Sequence, residues 1–174
     1  MSSTPTNEAF ASQRARAKVI EQAVSAWLQR RGGMVLPAYD YSGFQDDKAP
    51  RLLALLPQDS LVLPDLLTAC HGRCVWVEVK LKASASFTRL TQRLETGLSR
   101  RLWNHYLAVE KTTGIPVWLF FVHEQEREMR GESQRTLLGL EPRFYVGNKM
   151  GWAGMVFVPW DEMRVLATWD ELGL

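Results

Sequence analysis

Asp65, preceded by Pro64, and the Glu78-Val79-Lys80 triplet are the residues of this chain best suited to chemistry. The runs 61–69 and 74–82 are rich in Val and Leu. Between them, Cys70-His71-Gly72-Arg73 reads as a tight turn in which Gly72 takes a positive φ. A hairpin pivoting between His71 and Gly72 sets Ala69 against Cys74, Leu67 against Trp76 and Asp65 opposite Glu78. Side chains alternate along a strand, so Lys80 shares the face of Glu78 and Lys82 follows it. Two carboxylates and an amine then occupy one face of one hairpin.

Facing carboxylates repel and weaken a sheet. Their neighbours Leu63, Leu67 and Trp76 are apolar, which limits solvation. A divalent cation is the simplest species that makes the arrangement favourable. Oxygen ligands without a His or Cys cluster suit Mg²⁺ or Mn²⁺ better than Zn²⁺. The alternative is a salt bridge between Lys80 and one carboxylate on a solvated face. Cys70, His71 and Cys74 lie close together, but parity sends the two thiols to opposite faces and structural zinc takes four ligands. Neither zinc nor a disulfide is expected there.

Pro64-Asp65 followed by Glu78-Val79-Lys80 resembles the signature of the PD-(D/E)XK nucleases, a superfamily that includes restriction enzymes, Holliday-junction resolvases and phage recombination nucleases. The resemblance runs over residues 8–124 and is nearest to small phage-type and resolvase-like members. It implies an α/β, restriction-endonuclease-like fold, a mixed β-sheet flanked by helices. It also implies that Asp65 and Glu78 hold Mg²⁺ (or Mn²⁺) with the Val79 carbonyl. Lys80 would orient or help deprotonate the attacking water and stabilise charge on the phosphate. The activity implied is metal-dependent hydrolysis of phosphodiester bonds in DNA, in phage or bacterial recombination, repair or branched-DNA processing. The other function open to the fold is a catalytically inactive nucleic-acid-binding or assembly protein. Many such nucleases act as homodimers, and a homodimer is one assembly open to this chain.

The elements that must position these residues follow from periodicity. Residues 7–31 read as a helix, with Asn7 as N-cap and Gly32-Gly33 as stop. Phe10, Ala17, Ile20, Val24, Trp27 and Leu28 form its apolar stripe. Glu21 lies within that stripe. In the PD-(D/E)XK family an acid so placed serves the metal site, and otherwise Glu21 pairs with Arg14, Lys18 or a later arginine. Residues 98–113 read as a second helix ended by Gly114, and the nearly continuous apolar run 116–123 as a central strand covered on both faces. The Gln that RecB-like nucleases carry three residues before a Tyr is absent, since Trp103 stands there. Arg101 and His105 are the polar candidates on this helix, and a packed, hydrogen-bonded His105 is the plainer reading.

Tyr39, Lys48 and Lys82 complete the candidate nucleic-acid contacts. Tyr39 and Lys48 sit in or beside a 40–50 loop where two tyrosines could instead close the core. Strands are expected at 34–39, 51–56, 136–140, 143–146 and 155–158. A connector is expected at 83–87, an exposed charged excursion at 124–134, turns at Gly147-Asn148 and Gly151, and a closing helix at 161–169. Trp152, Trp160 and Trp169 read as core or edge cover.

With 174 residues and 46% hydrophobic content, the chain suits one well-formed core. The expectation is a disordered 1–6 tail and a single domain at 7–174, its core at 8–124 and its C-terminal strands and helix at 135–172. The net charge of +2 excludes a strongly basic coat, but Arg14, Arg16, Lys18, Arg30 and Arg31, and then Arg89, Arg93, Arg100 and Arg101, form local clusters. A polar amino terminus without an apolar signal core, and no membrane-length apolar run, point to a reduced, cytoplasmic protein with no membrane partner.

Overall fold

The computed structural model describes residues 7–38, 51–53, 60–145 and 154–174, with side chains omitted at 7–11, 51–53 and 60. In chain order the elements are α1 (Asn7–Arg30), β1 (Met34–Pro37), β2 (Arg51–Leu53), β3 (Ser60–Val62), β4 (Leu66–Cys70), β5 (Arg73–Lys82), β6 (Ser86–Thr88) and β7 (Arg93–Ser99). Then come α2 (Arg100–Thr113), β8 (Val117–His123), β9 (Glu128–Ser133), α3 (Gln134–Gly139), β10 (Arg143–Tyr145), β11 (Met155–Pro159), β12 (Arg164–Thr168) and α4 (Trp169–Leu172). The fold is α/β, with the mixed, helix-flanked sheet expected of a restriction-endonuclease-like domain. Six strands run in the order β1-β4-β5-β8-β9-β12, and a four-stranded sheet runs β10-β11-β7-β6. Only β5 and β8 pair in parallel within the large sheet, the others antiparallel.

The central hairpin forms because His71 and Gly72 both take positive φ, 50° and 75°, the combination a two-residue turn needs to match strand twist. Its register sets Ala69 against Cys74 and Leu67 against Trp76, as the pivot between His71 and Gly72 requires. The ladder stops at Leu66 and Val77, so Asp65 is not a ladder partner of Glu78. Pro64, with no N–H to donate, breaks the run 61–69 into β3 and β4. The two cysteines are free.

Strand β8 shows why the middle of the sheet reads as one apolar run. Val117, Leu119 and Phe121 enter one buried cluster with Leu98, Trp103, Tyr106 and Val109. Phe120 and Val122 enter the other with Ile20, Val24, Trp27, Val77 and Val79. Helix α1 therefore covers one face, while α2 and the four-stranded sheet cover the other. Gly114 closes α2 with φ 69°, and the glycine stop after α1 is Gly32 at φ 83°.

Several expectations are corrected. Residues 124–134 are not a free excursion, because β9 pairs along β8 and buries Met129, Gly131 and Glu132. The charges there are matched, Arg130 to Glu128 and Arg164 to Glu132. The 83–87 connector gives way to a hairpin, β6 and β7, so α2 begins at Arg100, capped by the Ser99 hydroxyl. The expected strand at 136–140 is instead helix α3 (Gln134–Gly139) with Leu140 as its C-cap, because the Ser133 side chain accepts from Thr136 N–H and starts the helix. The 161–169 helix is instead strand β12, paired with β9, followed by the single turn α4 under a Thr168–Glu171 capping box. The tail at 1–6, the 40–50 loop, residues 54–56 and the turns at 147–151 lie outside the described residues. Among those described, no helix is long and apolar enough to cross a membrane.

Candidate active site

The site grows from the point where β4 stops. Asp65 lies at the bend just before β4, and its carbonyl accepts from Ala38 N–H at 2.8 Å. Its carboxylate Oδ2 accepts from Val79 N–H, also at 2.8 Å. One acid side chain thereby takes up a backbone donor just beyond the last ladder pair and is itself held in one orientation. Glu78, next along β5, is 1% exposed. Its Oε1 forms an ion pair with Lys80 Nζ, and its Oε2 is buried with no hydrogen-bond partner.

Glu21 reaches the same place from α1. Burial pushes its carboxyl above the usual range, the Glu78 charge pushes it further, and Lys80 and then Lys18 pull it back. Asp65 is raised well above the ordinary aspartate range, first by burial and then by Glu78, with Lys80 opposing and Glu21 adding to the rise. Burial works to lower Lys80, but Glu78, Asp65 and Glu21 together outweigh it and raise its pKa, so it stays an ammonium. Of the alternatives for Glu21, the structure joins it to the cluster while keeping Lys18 as a weaker neighbour. Three carboxylates thus act on Lys80, and Glu21 also feels Lys18.

That donor set fits a hard divalent ion. The Glu78 Oε2 atom is buried and unmatched, the Asp65 and Glu21 carboxyls resist ionisation together, and all the acidic donors are oxygen. Among the described residues, no three His, Cys, Asp or Glu side chains are gathered closely enough to hold an ion as they stand. A complete ligand set therefore calls on backbone oxygen or water beside the carboxylates.

The remaining candidates fall at different distances from this centre. Lys82 is half-buried and its pKa is lowered by burial and by the Lys80 charge, which places it beside the cluster. Arg101 is exposed and His105 half-buried on α2. Neither is among the main charges acting on Glu21, Asp65 or Lys80. Tyr39 and Lys48 lie outside the described residues.

A second group of polar residues had no signal in the sequence. Glu95 on β7 is buried and accepts from Thr88 Oγ1 at 2.9 Å, Thr91 Oγ1 at 2.8 Å and Arg143 Nε at 3.2 Å. His123, at the end of β8, stacks on Trp160 with ring centroids 3.7 Å apart and meets Thr96 Oγ1 through Nε2 at 3.0 Å. Thr88 and Thr91 are near Glu95 in sequence, but Arg143, Thr96 and Trp160 reach their partners from far along the chain, so no local spacing announces those contacts.

No protein-family model matches the chain, and no curated protein matches it in sequence. Among solved structures, it is similar to Hjc, a Holliday junction resolvase from the archaeal hyperthermophile Archaeoglobus fulgidus, at 11% identity and a TM-score of 0.48. That likeness covers 82% of this chain and 87% of the resolvase. It is also similar to a nuclease from a fusselovirus, at 12% identity and a TM-score of 0.46, over 99% of this chain and 93% of that one.

Proposed function

We propose that residues 7–174 form a single metal-dependent nuclease domain of PD-(D/E)XK type that hydrolyses phosphodiester bonds in DNA. Its setting would be the cytoplasm, in phage or bacterial recombination, repair or branched-DNA processing. The observation that carries the reading is the convergence of Asp65, Glu78 and Glu21 on Lys80, with a buried Glu78 oxygen left unmatched. A purely structural salt bridge would not keep two further acids beside it against their mutual repulsion.

Asp65, Glu78 and the Val79 carbonyl are the residues that would hold Mg²⁺ or Mn²⁺, with Glu21 contributing directly or through water. Such an ion supplies Lewis-acid polarisation of the phosphate and a bound water of lowered pKa. The chain's own residues do the rest. The Val79 N–H fixes the Asp65 carboxylate, so one donor is set before substrate arrives. Lys80, an ammonium held by carboxylates, donates hydrogen bonds that orient water and answers negative charge building on the phosphate. Lys82, beside it and on the same face of β5, adds positive charge along the path of the backbone.

Labelled single-stranded, duplex, flap and four-way-junction DNA, together with RNA, incubated with Mg²⁺ or Mn²⁺, tests the reading. Wild type should cut DNA only with metal present, and Lys80→Ala should abolish cutting. Cutting that survives in Lys80→Ala, or persists in EDTA, would overturn it.

A further inference from the structure

The most exposed large apolar side chain among the described residues, Leu90, sits on a hairpin that directly follows the candidate active-site strand. Leu90, at the tip between β6 and β7, is 80% exposed, and Phe87 is 59% exposed. Phe87 pairs across the strands with Leu94, itself exposed, so the two share one face and form a ridge leading to Leu90. Solvent-facing Leu and Phe on a two-stranded extension cost solvation and gain no packing in the free chain.

The tip is nevertheless held firmly. On the opposite face the buried Glu95 carboxylate ties Thr88 and Thr91 together, and Arg143 anchors it to β10. Gln92 N–H donates to the Thr88 carbonyl at 2.8 Å, and the Gln92 side chain donates to the Arg89 carbonyl at 2.6 Å. The base is fixed as well, because Ala85 N–H donates to Glu126 Oε1 at 2.9 Å. A ridge supported in this way is presented in one shape.

Its charge identifies the partner. From residue 80 to residue 94 the chain carries Lys80, Lys82, Arg89 and Arg93 and no carboxylate. Lys80 is paired with Glu78 and Arg93 with Glu162, so Lys82 and Arg89 carry the positive charge of this stretch. A second copy of the chain meeting this ridge about a two-fold axis would bring like charges together, whereas nucleic-acid phosphates complement them. Seven residues separate Lys80 from Phe87, at most about 25 Å of chain, which is less than one turn of duplex at about 34 Å. Lysine and ridge can therefore engage the same stretch of DNA.

We infer that the 87–94 hairpin is a wedge: Leu90 and Phe87 enter between base pairs of a DNA duplex, at a branch point or a flexible step, while Arg89 holds the flanking phosphate. Apolar side chains unstack and kink base steps in this manner when positive charge anchors them. The inference rests on the nuclease reading above and specifies its substrate as DNA that yields to local unstacking.

The test uses the full chain carrying Lys80→Ala, so that binding is read without cleavage, on a four-way junction and a continuous duplex containing 2-aminopurine. Binding should raise 2-aminopurine emission, more in the junction than in the duplex. Adding Leu90→Ala should remove that rise and weaken binding roughly tenfold. Arg89→Ala should weaken binding to both DNAs without removing the rise, and should lower the salt dependence by about one phosphate contact. Saturating binding with unchanged emission, or a Leu90→Ala protein that matches its parent, overturns the wedge and leaves the nuclease reading in place. A Leu90→Ala change in sedimentation with DNA emission unaffected assigns the ridge to self-association and overturns it too. If wild type neither binds nor cuts DNA, the nuclease reading fails first and the wedge falls with it.

Discussion

Two kinds of acid shielded from solvent occur in this molecule, Glu95 and Glu132 buried, and Glu78 buried beside the half-buried Asp65 and Glu21. Glu95 and Glu132 are surrounded by donors: two threonine hydroxyls and Arg143 for the first, Arg164 and Ser133 N–H for the second. Burial works to raise Glu95, but its bonds to Arg143, Thr91 and Thr88 bring it below the ordinary range, and the Arg164 bonds do the same for Glu132. Asp65 and Glu21 show the reverse, raised by burial and by Glu78. At the second group the chain answers less of the charge: Asp65 takes one bond from Val79 N–H, and Glu78 pairs with Lys80 through Oε1 while its Oε2 stays buried and unmatched. What distinguishes the second group is the direction of its pKa shifts, upward at Asp65 and Glu21 where Glu95 and Glu132 go down.

Activity separates the groups most widely. Asp65→Asn, which keeps the shape and an oxygen able to accept from Val79 N–H, should lower metal-dependent cleavage on the order of 10²- to 10³-fold. Glu132→Gln should leave single-turnover cleavage close to wild type. Equal losses in the two variants would dissolve the distinction.

Stability should move in opposite directions. Glu95→Gln strands Arg143 and halves the acceptor strength beneath the hairpin, and should cost about 2–3 kcal/mol in urea unfolding. Asp65→Asn removes a repelling charge and should stabilise the metal-free protein by about 1 kcal/mol. Adding Mg²⁺ should raise the melting temperature of wild type and much less that of Asp65→Asn, because ligand binding stabilises only the state that binds it. An Asp65→Asn protein that is less stable in EDTA would mean the Val79 bond outweighs the repulsion.

The same contrast explains what could be read in the sequence. The hairpin register was legible because Gly72 marks the turn and alternation does the rest. The α1 stripe and β8 were legible because their apolar spacing is strong, and Ile20, Val24, Trp27 and Phe121 are indeed buried. Strand β9 was not, since its charges look solvated until Arg164 is seen to meet Glu132. Hairpin β6–β7 was hidden in the same way, its buried Glu95 answered by Arg143 from far along the chain. Long-range pairs that neutralise charge leave no local pattern. The nearness of Asp65, Glu78 and Lys80 was legible because Glu78 and Lys80 share β5 and Asp65 sits at the bend just beyond the hairpin's last pair, though the ladder pairing of Asp65 with Glu78 did not form. Glu21 needed the packing of α1 to decide between its neighbours.

The pH dependence offers the finest discrimination. Asp65 and Glu21 have raised pKa values in the folded state, so they favour folding fully only below about pH 4, the unfolded carboxylate value. That contribution is lost as pH rises through their folded values. Glu95 and Glu132 have lowered values, so their contribution is present above the unfolded value and is lost as pH falls through the folded ones. His123 adds to the acid-side loss, since burial lowers it to about 4 and its neutral form is favoured until the pH falls from about 6.5 toward that value. In EDTA, the stabilisation by Asp65→Asn should therefore be near zero in acid and grow toward neutral pH, while the penalty of Glu95→Gln should shrink in acid. Urea titrations of both variants against wild type across that range would show the two differences running with opposite slope. Parallel slopes would place Asp65 with Glu95 and Glu132 as an acid the fold has already satisfied, and would remove the reason to look for an external cation.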